Sequence, residues 1–244
     1  MITFPGEFIS RLKKAKSVTV LTGAGVSKES GIPTFRDAQS GLWAKYKPEE
    51  LASPDAFRRN PRLVWDFYKD RRTVAEKAIP NPGHFSLAKM EKLFDTFCLI
   101  TQNVDGLHAR AGSSSVIELH GNLHRIKCSG RCAVVGQWVD EGLAAPRCQK
   151  CGAFLRVDVV WFGESLPAAE LEKAMLASQN CDVFFSIGTS GVVQPAASLG
   201  LMARDRGAVF VEINYEPSAI SRLADYKIYG ESGTILPQLL QALL

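Results

Sequence analysis

Four cysteines fall in two close pairs, Cys128/Cys132 and Cys148/Cys151, with fifteen residues between the pairs. Thiolates at that spacing make a zinc-ribbon donor set. Four of them complete tetrahedral zinc and leave no position for water, so the predicted site is structural. The first pair encloses three residues where two are usual, which bears on its turn geometry more than on its ligands. Gly23-Ala24-Gly25 offers a different chemistry behind the β-branched run 18–22, because glycine admits positive φ and lets a backbone approach a pyrophosphate. Gly188-Thr189-Ser190 follows the apolar run 183–187 and presents amides and hydroxyls suited to phosphate. Gln102, Asn103 and Asp105 lie just past a third run, 97–101, at the carboxyl end of a predicted parallel strand, where ligands gather in open α/β sheets. Tyr68 and Arg71 are three apart on a predicted helix, so a phenol and a guanidinium share one face.

Each of these residues also has a plainer reading. The third glycine of a dinucleotide fingerprint would stand at Lys28, and no Gly-Lys-Ser/Thr follows, so neither a dehydrogenase nor a Walker loop is predicted. From the loop alone, an ordinary strand-to-helix turn serves as well. Asn103 and Asp105 could simply form a turn, as could Asn214 behind the run 210–213. Tyr68 could pack at a helix edge beside a solvated Arg71-Arg72 pair. His120 is one of 4 histidines, and by composition a structural, hydrogen-bonded role is the safer assignment for it. Cys98 and Cys181 sit in apolar surroundings and read as small core residues.

The elements that must position these groups follow from patterning. Phe8, Ile9 and Leu12 mark a helix over 5–15, with Lys13 and Lys14 near its carboxyl end. Short apolar runs at 18–22, 97–101, 183–187 and 208–213 read as buried strands. Asn60-Pro61 is a cap and first-turn pair opening a long helix, and further helices are predicted over 84–94, 168–177 and 234–243. Alternating strands and helices imply an α/β fold, a doubly wound parallel sheet covered on both faces. The cysteine segment interrupts that alternation, so roughly residues 122–158 are predicted to form a small inserted lobe held by its metal within a single domain spanning 1–244.

Composition excludes several classes. With 46% hydrophobic and 22% charged residues the chain is of ordinary globular type. Its net charge of +4, from 29 basic and 25 acidic residues, is too small to establish a nucleic-acid-binding surface without a localised patch. No apolar run approaches a membrane span, and charges occupy the N-terminal segment where a signal peptide would be apolar, which predicts a cytoplasmic protein.

Residues 23–37, from Gly23-Ala24-Gly25-Val26-Ser27 to Pro33-Thr34-Phe35-Arg36-Asp37, resemble the NAD-binding loop of the sirtuins. Further sirtuin motifs are resembled, in the family's order, by Thr101-Gln102-Asn103-Val104-Asp105-Gly106-Leu107-His108, His120-Gly121, the four-cysteine segment, Val159-Val160-Trp161-Phe162-Gly163-Glu164 and Gly188-Thr189-Ser190. The resemblance implies a Rossmann-like NAD-binding domain with a small zinc lobe, and NAD-dependent removal of acyl groups from protein lysines. Nicotinamide and O-acyl-ADP-ribose would be the products. It also implies roles. His120 would be the general base, Asn103 and Asp105 would serve the nicotinamide pocket together with the backbone of Ile32, and Phe35 and Arg36 would cover the reacting face and the phosphates. Gln102, Ser190, Asn214 and Ser232 would complete the cofactor site, the last two towards the adenosine. Tyr68 and Arg71 match the Tyr-x-x-Arg of sirtuins that accept succinyl or malonyl groups, a forked donor suiting an acyl carboxylate, and Ala38 resembles the small residue that leaves room there. Val160 and Phe162, opposite 191–193, would flank an extended acyl-lysine peptide, although Gln194 departs from the aromatic often found at its position. The competing readings are an ADP-ribosyltransferase on the same fold and a non-enzymatic zinc-ribbon module.

Overall fold

The computed structural model describes residues 2–33, 45–130, 132, 135–137 and 145–244. The chain opens with α1 (Gly6–Lys14), β1 (Ser17–Thr22) and the short α2 (Ala24–Lys28). Four helices follow in α3 (Pro48–Leu51), α4 (Pro54–Arg59), α5 (Pro61–Lys77) and α6 (Pro82–Met90). Next come β2 (Thr96–Thr101), α7 (Leu107–Arg110) and β3 (Val116–Glu118), and then three strands of a separate sheet, β4 (Gly121–Cys128), β5 (Val135–Gln137) and β6 (Leu155–Val159). The chain closes with α8 (Ala168–Gln179), β7 (Val183–Ile187), α9 (Leu199–Asp205), β8 (Val209–Asn214), β9 (Tyr226–Tyr229) and α10 (Ser232–Leu243).

The large sheet runs β3-β2-β1-β7-β8-β9 with every pair parallel. Its order reverses between β1 and β7, the point at which an open sheet forms a ligand crevice. Both faces are covered, as the continuous apolar runs predict. Val18 and Val20 pack with Phe8, Leu12, Leu87, Leu236 and Leu239 from α1, α6 and α10, while Leu21, Phe184 and Phe210 pack with Ala174, Leu199 and Ala203 from α8 and α9. The small sheet is antiparallel, in the order β5-β4-β6.

Local signals explain the helix ends. The Asn60 side chain accepts from Leu63 N at 3.0 Å and Pro61 follows, so α5 starts where the cap predicts. The helix expected over 84–94 begins earlier, because Asn81 accepts from Gly83 N at 2.9 Å and Pro82 takes the first helical position. It also stops earlier. After Met90 the amides of Lys92 and Leu93 bond three residues back, to Lys89 and Met90, and the tightened turn leads into β2.

Periodicity does not say which sheet a helix covers. The apolar face of α5, with Val64, Trp65, Phe67 and Tyr68, packs on Leu123, Ile126, Val157 and Trp161 of the small sheet and its exit loop. That choice carries Tyr68 and Arg71 to the boundary between the two sheets. Among the described residues no helix is long and apolar enough to cross a membrane.

Candidate active site

The turns leaving β1 and β7 cross backbone to backbone at the switch point. Gly23 N donates to Ile187 O at 3.0 Å and Gly25 N to Gly188 O at 2.9 Å. A Cβ on Gly23 would stand 2.7 Å from Gly188 O, and one on Gly25 would stand 2.7 Å from Gly188 Cα. Gly188 itself has φ +62°. The glycines therefore serve the crossing of two turns first. Around that crossing, Ala24 opens α2 with its side exposed, Ser190 is exposed, and Thr189 is buried with its hydroxyl 2.8 Å from Ser186 Oγ. Asn214 Nδ2 donates to Thr189 O at 2.8 Å and so holds this second turn from β8. Exposed hydroxyl and amide donors at the carboxyl ends of β1 and β7 fit the phosphates of a dinucleotide.

Beside the crossing, the loop after β2 is tied into one network. Asn103 donates its amide hydrogens to Gly23 O and Ser27 Oγ, both at 3.0 Å. Ser27 Oγ donates to Asp105 Oδ2 at 2.7 Å, and Leu107 N donates to Asp105 Oδ1 at 2.9 Å. Burial raises the Asp105 carboxyl above its ordinary range, and these two donors pull the other way. Ile32, half-buried, donates its amide to Ser27 O. Thr34, Phe35, Arg36 and Ala38 lie outside the described residues.

His120 stands at the junction of β3 and β4. Its Nδ1 lies 3.0 Å from Gln102 O. A carbonyl only accepts, so the neutral ring carries its proton on Nδ1 and leaves Nε2 as the basic nitrogen. Burial depresses this imidazole, opposed by the bond to Gln102, so it is a neutral base at neutral pH. Val160 N donates to His120 O at 2.9 Å, which sets the exit loop of β6 beside the histidine. Phe162, Val192 and Val193 are exposed apolar residues.

Tyr68 is buried, and burial pushes its phenol up to about 12 against the pull of Arg71. The Arg71 guanidinium lies over the Phe67 ring at 5.6 Å; burial lowers its pKa, and the Tyr68 and Asp105 groups raise it. Sequence spacing therefore placed both side chains together, and the fold turns them towards the Asp105 end of the site. Arg156 lies against the other side of this wall. Its guanidinium stacks on Trp161 at 3.3 Å, pairs with both Glu164 oxygens at 2.5 and 2.9 Å, and donates to Val159 O.

The four cysteines converge. Their sulfur atoms all lie within 4.8 Å of one another, and Cys128 Sγ is 3.5 Å from Cys151 Sγ. A tetrahedron with Zn–S bonds of about 2.3 Å has edges of about 3.8 Å, so this donor set fits zinc. Backbone amides, that of Lys150 foremost, bring the Cys148 thiol down to about 7 and favour the thiolate a metal requires.

A sequence profile of the Sir2 family matches residues 23–195, a span holding the crossing, His120 and all four cysteines. The chain belongs to the Sir2 family. Similar Sir2 proteins include the NAD-dependent protein deacylase of Pyrococcus furiosus, 49% identical over 97% of this chain and 96% of that one. NAD-dependent protein deacylase 1 of Caldanaerobacter subterraneus is 53% identical over 88% of each. Among solved structures, a Sir2 homologue–NAD complex superposes with a TM-score of 0.93 at 43% identity, covering 99% of this chain and 94% of its own. A Sir2–p53 peptide–NAD+ complex gives 0.85 at 32% identity, covering 98% of each.

For this Sir2 chain, several structural roles escape motif reading. Ser27 joins Asn103 to Asp105, and the only signal was a small hydroxyl in the glycine loop. Ser232, expected near the adenosine, donates its hydroxyl to Glu29 Oε1 at 2.7 Å, and Gly233 N donates to the same carboxylate at 2.9 Å. Glu29 thus ties α2 to α10. Asn81 ties it from the other side, donating to Val26 O at 2.7 Å. Arg156 carries no spacing signal, because its partner is eight residues away across a turn.

Proposed function

We propose that this chain is an NAD-dependent protein-lysine deacylase that prefers acyl groups ending in a carboxylate. One observation carries the reading: a neutral His120 with its tautomer set by Gln102 O stands beside the Asn103–Ser27–Asp105 network at the crossing of the β1 and β7 turns. Bound NAD supplies the ribose carbon that accepts the acyl oxygen and the nicotinamide that departs. Gly23, Ala24, Gly25, Gly188, Thr189 and Ser190 hold its phosphates, Asn214 and Ser232 lie towards the adenosine, and Asp105 faces the carboxamide. His120 Nε2 takes the proton from a ribose hydroxyl, and its depressed pKa keeps that nitrogen free near neutral pH. The loop between β6 and α8 and the segment 191–193 receive the peptide backbone, flanked by Val160, Phe162, Val192 and Val193. Tyr68 and Arg71 receive the acyl carboxylate. Zinc on Cys128, Cys132, Cys148 and Cys151 holds the inserted lobe and does no chemistry.

The test is a paired assay on one peptide carrying succinyl-lysine or acetyl-lysine, with and without NAD, following nicotinamide release and peptide mass. NAD-dependent loss of succinyl well above loss of acetyl is expected, and His120→Ala should abolish both while still binding NAD. Faster acetyl loss would keep the deacylase and remove the carboxylate pocket. Transfer of ADP-ribose to protein without deacylation would overturn the whole reading.

A further inference from the structure

Pairing of β4 with β6 slips between Asn122 and Ile126. Asn122 faces Asp158 and Ile126 faces Val157, so Leu123, His124 and Arg125 have no register partner in the β6 ladder. A bulge of this kind re-aims side chains away from their own sheet. Here the excursion reaches the large domain. Leu123 N donates to Val104 O at 2.8 Å, and His124 Nε2 lies 3.1 Å from Asp105 O. Because that carbonyl only accepts, the His124 proton resides on Nε2 and is donated to Asp105. The ring also lies against Gly106, which has φ +75° and stands at the N-cap of α7; a Cβ there would stand 3.3 Å from His124 Cδ2. The Asn122 side chain steadies the bulge by accepting from His124 N at 2.8 Å and donating to Glu118 at 2.6 Å.

Asp105 is consequently held from two bodies. Its carboxyl is fixed by Ser27 and Leu107 within the large domain, and its backbone carbonyl is fixed by an imidazole from the small sheet. We propose that His124 is a positioning residue for the nicotinamide end of the site, aiming Asp105 through its main chain. This rests on the reading of Asp105 given above. The Leu123–Val104 bond is backbone to backbone and does not involve the imidazole, so a His124 substitution should leave the lobe docked and confine its effect to the Asp105–Gly106 turn.

The experiment compares full-length His124→Gln and His124→Asn with the parent and with Asp105→Asn. A glutamine amide reaches about as far as Nε2 and restores the donor, whereas an asparagine amide stops short. A neutral hydrogen bond predicts an increase of about 3- to 10-fold in KM for NAD, and in the nicotinamide concentration that half-inhibits, for His124→Asn. Peptide KM, zinc content and melting temperature should stay at parental values, and His124→Gln should recover most of the loss. Equal shifts in NAD and peptide KM, no shift, or failure of glutamine to recover would overturn the positioning role. If Asp105→Asn damages NAD use while His124→Asn does not, only this inference fails. If Asp105→Asn is also without effect, the nicotinamide assignment falls and this inference with it.

Discussion

Replacing Arg71 by methionine keeps an unbranched apolar stem and removes the guanidinium, with its charge and its donors. The residue sits one turn after Tyr68 on α5 over the Phe67 ring, with Asp105 among the charges that act on it. Tyr68 stays protonated at any working pH, because burial pushes it up to about 12, so the pair offers one phenol donor and one guanidinium fork. Hydrogen bonds to a charged group are worth about 1.5–3 kcal/mol, which at about 1.4 kcal/mol per decade is about 10- to 150-fold in kcat/KM. Arg71→Met should therefore lower kcat/KM for a succinyl peptide by that factor and leave the acetyl peptide within about 3-fold, since an acetyl group has nothing for the fork to bind. A butyryl peptide, similar in length and uncharged, should be used better by the variant than by the parent. Steady-state kinetics on the three peptides, with Tyr68→Phe and the double variant to close a cycle, give the coupling between the two donors. Parallel losses on succinyl and acetyl would show that Arg71 acts on the site as a whole and refute a carboxylate pocket.

Arg156→Met should raise peptide KM and cost about 1–3 kcal/mol in denaturant unfolding, because it leaves the part-buried Glu164 with only the Trp161 amide as partner; a change below about 0.5 kcal/mol would mean that the pair contributes little. Cys148→Ser should release zinc, read by metal analysis, and speed hydrogen exchange in β4–β6 before the large sheet; full retention of metal would remove the structural-zinc assignment. His84 and His108 are buried with ring centres 4.8 Å apart, and burial lowers them to about 4 and about 3. Above about pH 7.5 both are almost wholly neutral folded and unfolded and contribute little pH dependence. As pH falls through 6.5 towards 4 the unfolded chain takes up protons that the folded chain refuses, so stability drops by about 1.4 kcal/mol per pH unit for each. His108→Gln should flatten that slope, and an unchanged slope in urea melts between pH 4.5 and 6.5 would count against buried neutral rings.

Much of the large sheet was legible because its strands are buried on both faces and read as uninterrupted apolar runs, the segment 183–187 among them. The cap at Asn60 was equally local, its side chain accepting from an amide three residues on. The pairing of α5 with the small sheet was not legible, since an amphipathic stripe states that a face is buried and not against what. The bulge in β4 was hidden for a similar reason: three extra residues on one strand show only when the partner strand is known. Motif resemblance supplied Asn103 and Asp105, but the hydroxyl that links them, and the second carboxylate that takes up Ser232, depend on contacts across 76 and 203 residues of sequence.

These long-range ties explain why a zinc lobe with no chemistry of its own belongs to the site. His120 lies where β3 of the large sheet becomes β4 of the small one, and the next position takes a glycine, Gly121, because its φ is +81° and a Cβ there would collide with the Asp158 carbonyl on β6. Arg125 spans the same joint, pairing with Glu118 at 2.7 Å on one side and Asp158 at 3.0 Å on the other. The orientation of the small sheet thus sets the position of the basic nitrogen, of the Val160 amide that bonds the His120 carbonyl, and of the Asp105 main chain. Loosening the four sulfurs should accordingly reach the reaction through geometry, lowering kcat in a protein whose cofactor crossing, built from the turns after β1 and β7 within the large sheet, remains intact.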